Sequence, residues 1–187
     1  MTDYITSDLH MYHKKILQFC PETRPYQSLE HMHEIFIWSI QRVLEDPENH
    51  LYILGDFSFK GKERTEEILQ QLPCDQITLV LGNHDRHHRK LYEQYFKRVV
   101  DYLEVNVRYD WMSEKLKVCM FHFPIEQGQW NRASYGAVHT HGHLHGDFKT
   151  GSRRRDVGID GQGRFYTLEE VVADCLKDDI IKTHHVD

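Results

Sequence analysis

Five short apolar runs in this chain stop abruptly, and each stops on the same small set of polar residues. Residues 4–6 run into Ser7-Asp8-Leu9-His10. Residues 51–54 run into Gly55-Asp56, and residues 77–81 into Gly82-Asn83-His84-Asp85. Residues 116–121 lead to His122, and Ala137-Val138 leads to His139-Thr140-His141-Gly142-His143-Leu144-His145. The runs are brief and rich in Ile, Val, Leu and aromatics, which reads as buried strands. Open α/β sheets bind ligands outside the carboxyl ends of their strands. One Asp after one strand is ordinarily a turn or cap residue. Five such ends, restricted to residue types that hold metal ions, predict one shared metal site.

Between the first two runs, Met32, Ile35, Phe36, Ile40 and Val43 recur at three- and four-residue steps within 28–46. That predicts a helix with one buried face, N-capped by Ser28. Further helices are expected over 62–72, ended by Pro73, over 87–98, and over 167–176, capped by Thr167. The strand–helix–strand order of the first half predicts an α/β sheet, and the half after about Val99 is richer in strands. With no repeat and no dividing linker, a single domain over 1–187 is expected.

The 187 residues are 40% hydrophobic and 28% charged, which places the chain among globular rather than disordered sequences. No apolar run approaches the roughly 18 residues of a membrane span. The first ten residues carry Asp3 and Asp8 and lack a basic-then-apolar leader pattern, so a cytoplasmic location is expected. Cys20, Cys74, Cys119 and Cys175 form no C-x-x-C pair and read as buried free thiols. A net charge of −6 disfavours a broad nucleic-acid surface. The local basic candidates are "DRHHRK" (85–90) and "SRRR" (152–155).

Taken in order, D-x-H at 8–10, G-D at 55–56, G-N-H-D at 82–85, His122 and G-H-x-H at 142–145 resemble the calcineurin-like metallophosphoesterase superfamily. "SDLHMYHKKI" with "TRPYQSLEHM" is most similar to its small bacterial and phage members, and "RRRDVGIDGQGRFYTLEEV" to their C-terminal region. The resemblance implies an α/β fold of two facing mixed β-sheets flanked by helices. It implies two divalent transition-metal ions, one held by Asp8, His10, Asp56 and His145. The other would be held by Asp56, Asn83, His122 and His143, with Asp56 bridging. It gives His84 a catalytic role, stabilising the transition state or protonating the leaving oxygen. The implied reaction is hydrolysis of a small phosphoester by metal-activated water, with a nucleotide-type or other small phosphodiester favoured.

The residue types suit that chemistry. Two divalent ions carry four positive charges and two carboxylates remove two, leaving net positive charge for a phosphate. Imidazoles and the Asn83 amide add donors without cancelling that charge. The mixed nitrogen and oxygen donor set suits manganese, which is favoured, and also iron, zinc or nickel. In an extended segment residues i and i+2 point the same way, which would aim Asp8 with His10 and His143 with His145. Gly55, Gly82 and Gly142 would let the chain turn tightly beside the ions.

The chain departs from the phosphoprotein phosphatase branch, whose second motif reads G-D-x-x-D-R-G. Here it is "GDFSFKG", with Phe59 and Lys60 in place of the Asp and Arg. This argues against a protein phosphatase and leaves His84 without an orienting partner. His13, Arg24 and Arg86 are candidate substrate contacts, set against a supporting hydrogen bond for His13 and ordinary solvated roles for all three. His139 and His141 are read as lining the approach or as supporting or solvated residues. His31, His33, His50, His184 and His185 are expected at the surface. Arg153 to Arg155 are phosphate-binding candidates or solvated charges. Alternatives are a nuclease acting on DNA or RNA, a phosphomonoesterase and, less favoured, a non-catalytic interaction module. No membrane partner is expected, and oligomeric state is left open.

Overall fold

The run at the amino terminus is strand β1 (Asp3–Thr6), and it pairs in parallel with β2 (His50–Ile53), Tyr4 opposite Leu51 and Thr6 opposite Ile53. β2 pairs in parallel with β3 (Ile77–Val80), and β3 with β4 (Arg98–Val100). A short antiparallel β10 (Tyr166–Thr167) closes the other edge, giving the order β10-β1-β2-β3-β4. The second sheet holds β5 (Leu103–Val107), β6 (Leu116–Met120), β7 (Val138–His141), β8 (Lys149–Gly151) and β9 (Arg154–Asp156). Its order is β5-β6-β7-β9-β8, parallel in the centre and antiparallel at both edges. The structure, a computed structural model, describes residues 1–59 and 61–181. His184 and His185 lie outside the described residues.

Two apolar layers hold the sheets in place. One face of the first sheet packs against α2 (Leu29–Val43), α3 (Lys62–Leu69) and α4 (Arg89–Tyr95). Met32, Phe36, Ile40, Ile68, Leu69, Leu91 and Tyr92 meet Leu51, Ile53, Ile77 and Leu79 there. The other face meets the second sheet, with Ile5, Leu54 and Val80 against Val118, Met120 and Val138. α6 (Leu168–Cys175) adds Leu168, Val171 and Val172 to this layer. β3 is therefore buried on both faces, which is why it reads as a mostly apolar run interrupted only by Thr78. Ser28 and Thr167 cap α2 and α6 through their side chains, as their sequences predict.

Some expectations change. The strand starting at Ala137-Val138 continues through His141, because the side chains of His139 and His141 find partners within the sheet. The helix expected over 87–98 is shorter: residues 86–88 form a single tight turn before α4. Two one-turn helices, α1 (Ile16–Phe19) and α5 (Ile159–Gln162), carry too few residues to show a periodicity. His33, expected at the surface, is buried in α2 and accepts the Tyr12 N–H at 2.8 Å. That bond ties α2 to the loop following β1.

Candidate metal centre

The strands β1, β2 and β3 run parallel in one sheet, and β6 and β7 run parallel in the other. Their carboxyl ends deliver the candidate ligands to one place. Asp8, His10 and His145 form a first group of donor atoms, and Asp56, His122 and His143 a second, each within 4.8 Å. Nε2 of His10 lies 3.6 Å from Oδ2 of Asp56, and Nε2 of His122 also lies 3.6 Å from it. Asp56 thus stands between the groups. Asn83 joins the second through its Oδ1, 2.9 Å from Nε2 of His122. His84 sits beside them, Nε2 at 3.9 Å from Asp56 Oδ2.

Backbone conformation, rather than strand pleating, aims these side chains. Asp8, His10, Asp56, His143 and His145 all have left-handed φ, between 50° and 73°. The expected extended geometry for Asp8/His10 and His143/His145 is therefore corrected: after each strand the chain curls, and alternate residues enter the left-handed region. Asp and His tolerate that region better than most residues, yet each such residue costs on the order of 1–3 kcal/mol. Such strain persists only where the surroundings over-determine it. Asp85 is one of those constraints. Its buried carboxylate accepts the N–H groups of Asp56 (2.7 Å), Gly82 (2.9 Å) and Phe57 (3.0 Å), and the Tyr92 hydroxyl (3.2 Å). Gly55, at φ +93°, makes the turn before Asp56. Gly82 and Gly142 serve close approach instead: a Cβ at Gly82 would collide with the Asp56 carboxylate, and one at Gly142 with Ser7 and Asp8.

The donor set fits a cation. Oδ1 of Asp8 is buried without a hydrogen-bond partner, as is Nδ1 of His10. That oxygen faces Nε2 of His145 at 3.7 Å and Nε2 of His10 at 3.8 Å, while the two nitrogens lie only 3.0 Å apart. A buried carboxylate oxygen with no donor is expensive, and a shared metal ion satisfies all three atoms. Burial, with the neighbouring His145, pushes the His10 imidazole down to about 2, so it is neutral and has a free lone pair near pH 7. Burial likewise lowers His143.

Sequence patterns gave no sign of the support around His145. Its Nδ1 lies 2.7 Å from Oδ2 of Asp160, in α5. Arg24 clamps Asp160 with Nε and Nη2, each at 2.7 Å, and donates to the carbonyls of Asp8 and Leu9. Arg24 holds Asp160 well below the usual carboxylate range despite its burial. Against the opposing effect of burial, Asp160 and Asp8 raise the pKa of His145. A carboxylate on the far nitrogen fixes the tautomer that leaves Nε2 facing the site and makes it a better donor. Asp160 lies outside the five strand-end patterns, so only three-dimensional proximity reveals it.

The remaining candidates divide by burial. Arg24 is corrected as a substrate contact: it is 2% exposed and its guanidinium is engaged by Asp160 and backbone carbonyls. Arg86 is exposed on the turn after His84. His13 lies at the mouth, 5.5 Å from the His10 ring. His139 and His141 are fully buried, correcting both the approach-lining and the solvated reading. His139 accepts the Ile125 N–H and bonds the Cys119 carbonyl, while His141 bonds the Gly142 carbonyl and the Thr150 hydroxyl. Arg153 to Arg155 are neither phosphate sites nor solvated charges. They bind the carbonyls of Gly136, Ile125 and Thr150, and the carboxylates of Asp174 and Asp178.

Comparison with known proteins shows the fold and the family. A solved structure described as a protein of unknown function, AQ665 from Aquifex aeolicus, superposes with a TM-score of 0.66. It covers 91% of this chain and 97% of that one at 21% identity, a likeness of fold. Gene 66 protein of Mycobacterium phage L5 is 26% identical over 193 residues, 90% of this chain and 91% of that protein. The uncharacterized protein MJ1445 of Methanocaldococcus jannaschii is 31% identical over 100 residues, 53% of this chain; the match spans about half of that relative, 52%. The family model for the calcineurin-like phosphoesterases matches residues 1–186. The chain is a small, phage- and bacterial-type member of the calcineurin-like phosphoesterase family.

Proposed function

We propose that the chain is a binuclear metal-dependent phosphodiesterase acting on a nucleotide-type or other small phosphodiester. The observation that carries this reading is Asp56: one carboxylate oxygen stands 3.6 Å from an imidazole nitrogen of each donor group. Asp8, His10 and His145 would hold one ion with Asp56, and Asn83, His122 and His143 the other. Bound there, two divalent ions supply electrophilic stabilisation of phosphoryl oxygens and lower the pKa of a bound water. Donors of mixed nitrogen and oxygen type favour manganese, with iron, zinc or nickel also compatible.

The protein's own groups provide the rest. His84, beside Asp56 and half-exposed, is placed to give a proton to the leaving oxygen or a hydrogen bond to a phosphoryl oxygen. Its backbone N–H donates to Asp56 Oδ1 at 3.0 Å, which keeps the residue in register with the ligand. Phe59 occupies the place where the phosphoprotein phosphatase branch carries a carboxylate, which weighs against a protein phosphatase. The structural engagement of Arg153 to Arg155, with Arg89 paired to Glu93 and Asp101, removes most of the basic surface a nuclease would use. Among the described residues no helix is long and apolar enough to cross a membrane.

The test is to strip the protein of metal, reload it separately with manganese, iron, zinc, nickel and magnesium, and assay p-nitrophenyl phosphate beside its bis-ester and cyclic nucleotides. The expected outcome is highest activity on diesters with a transition metal, and two ions per chain by elemental analysis. Full metal-dependent activity in Asp56→Asn, or activity with magnesium alone, would overturn the assignment.

A further inference from the structure

Around the mouth of the candidate centre, four rings make a closed circuit. His10 lies 5.5 Å from His13, and His13 stacks on Phe59 at 4.1 Å and 23°. Phe59 lies 4.8 Å from His84, and His84 returns to His10 at 5.5 Å. Three corners are histidines, one a candidate ligand and one the candidate acid. The fourth is a phenylalanine, 42% exposed. Phe19, 64% exposed, stands edge-on to His13 at 5.8 Å and extends the apolar rim.

The exposed position of Phe59 is imposed by backbone. Its N–H donates to the Met11 carbonyl at 2.8 Å, next to a parallel bridge between Ser58 and Met11. The ring is thus carried to the rim by a segment fixed against the ligand loop. One exposed phenylalanine needs no explanation. Two of them flank His13, and Phe59 also lies against His84, which sets an apolar ring beside the candidate acid in a site otherwise built from polar groups.

We infer that Phe59, backed on one face by His13 with Phe19 beside it, is a stacking platform for a planar aromatic group carried by the phosphoester, either a nucleobase or an aryl ring. The inference rests on the phosphoesterase reading of the metal centre and narrows its substrate class. Stacking suits such a group because every aromatic ring offers a π-face, and an edge or offset arrangement with Phe59 and His13 needs no hydrogen-bond code. The rival role for Phe59 is as a buttress holding the His84 and His13 rings. A buttress affects all substrates alike, whereas a platform affects only those that carry a ring.

The experiment is calorimetric titration of the metal-loaded protein with four ligands that share a phosphate head: methyl phosphate, ribose 5-phosphate, phenyl phosphate and adenosine 5′-monophosphate. Wild type is expected to bind at least one ring-bearing ligand more tightly than its ringless partner. Adenosine monophosphate exceeding ribose 5-phosphate identifies a nucleobase; phenyl phosphate exceeding methyl phosphate identifies an aryl group. Phe59→Ala should weaken the ring-bearing ligand roughly 5- to 100-fold, in line with base–aromatic stacking. It should leave methyl phosphate within about twofold, and Phe59→Trp should restore binding. Phe19→Ala should show the same selectivity at smaller size. Equal weakening of all four ligands by Phe59→Ala, or no advantage for either ring in wild type, overturns the platform while leaving the phosphate site standing. Failure of wild type to bind methyl phosphate overturns both.

Discussion

His139 and His141 differ from His143 and His145 in almost everything except spacing. The first pair lies in β7, fully buried, each ring held by a backbone carbonyl and a further partner. The second pair follows Gly142, has left-handed φ, and faces Asp56 and Asp8. A period of two in sequence therefore has two meanings on either side of one glycine. Before it, alternation follows the pleat of a strand. After it, alternation follows a curl that turns side chains toward acidic residues. Arginines divide the same way: Arg24 is locked inside the fold, and Arg86, two residues after His84, is exposed.

Exchange of roles by mutation is the strongest way to break this contrast. His145→Ala should lower metal-dependent activity by roughly a thousandfold, since bound ions supply several kcal/mol to such reactions. Thermal unfolding of the metal-free protein should change little. His139→Ala should do the reverse. It leaves the buried Cys119 carbonyl and the half-buried Ile125 N–H without their partner. Each such loss costs about 1–3 kcal/mol, so stability should drop while activity per folded molecule stays within about twofold. Equal effects of the two variants on both measurements would erase the distinction.

A pH series sharpens it. Burial pushes the His139 imidazole down to about 4, against an ordinary value of 6.5. Between those values the unfolded chain takes up a proton there that the folded protein refuses. Stability of the metal-free protein should therefore fall as pH drops from about 6.5 to about 4, by roughly 3 kcal/mol from this residue, and the contribution should flatten below. Denaturation of His139→Gln beside wild type checks it. An unchanged slope would show that His139 does not titrate as placed.

Much of this was legible in the chain because strand ends are local. Apolar runs 51–54 and 77–81 mark β2 and β3, and the residues after them converge because parallel strands end on the same side. Three things were not legible. The curl at Asp8, His10, Asp56, His143 and His145 depends on tertiary restraint, which local sequence does not carry. The fate of His139 and of Arg155 depends on partners far along the chain: Cys119 and Ile125 for one, Asp174 and Asp178 for the other. Asp160 reaches His145 from a one-turn helix and has no spacing that singles it out.

Asp160 gives the next effect in size. Asp160→Asn should weaken metal binding at the Asp8, His10 and His145 group by roughly 10- to 100-fold, the range for carboxylates supporting a metal-bound histidine. At limiting metal, content should fall from two ions per chain toward one. The variant also leaves Arg24 buried without its charge partner, a loss of about 3–5 kcal/mol in comparable cases. Metal-free melting temperature separates that effect from ligand weakening, because adding excess metal restores the second ion but not the ion pair. Wild-type affinity for both ions would show that His145 does not depend on Asp160 for its orientation.

The smallest effect belongs to Arg86. A solvated guanidinium two residues after His84 has modest electrostatic reach, and salt screens it. If it meets the phosphate only on arrival, Arg86→Ala should raise KM about threefold with kcat unchanged, the signature of uniform binding. The effect should shrink as ionic strength rises. A matching drop in kcat would instead place Arg86 in contact with the reacting phosphoryl group. Arg24→Ala, by contrast, should destabilise the fold and the first donor group together. One arginine felt through salt and the other through stability is the same division that Gly142 makes between the histidines, expressed through burial rather than chain order.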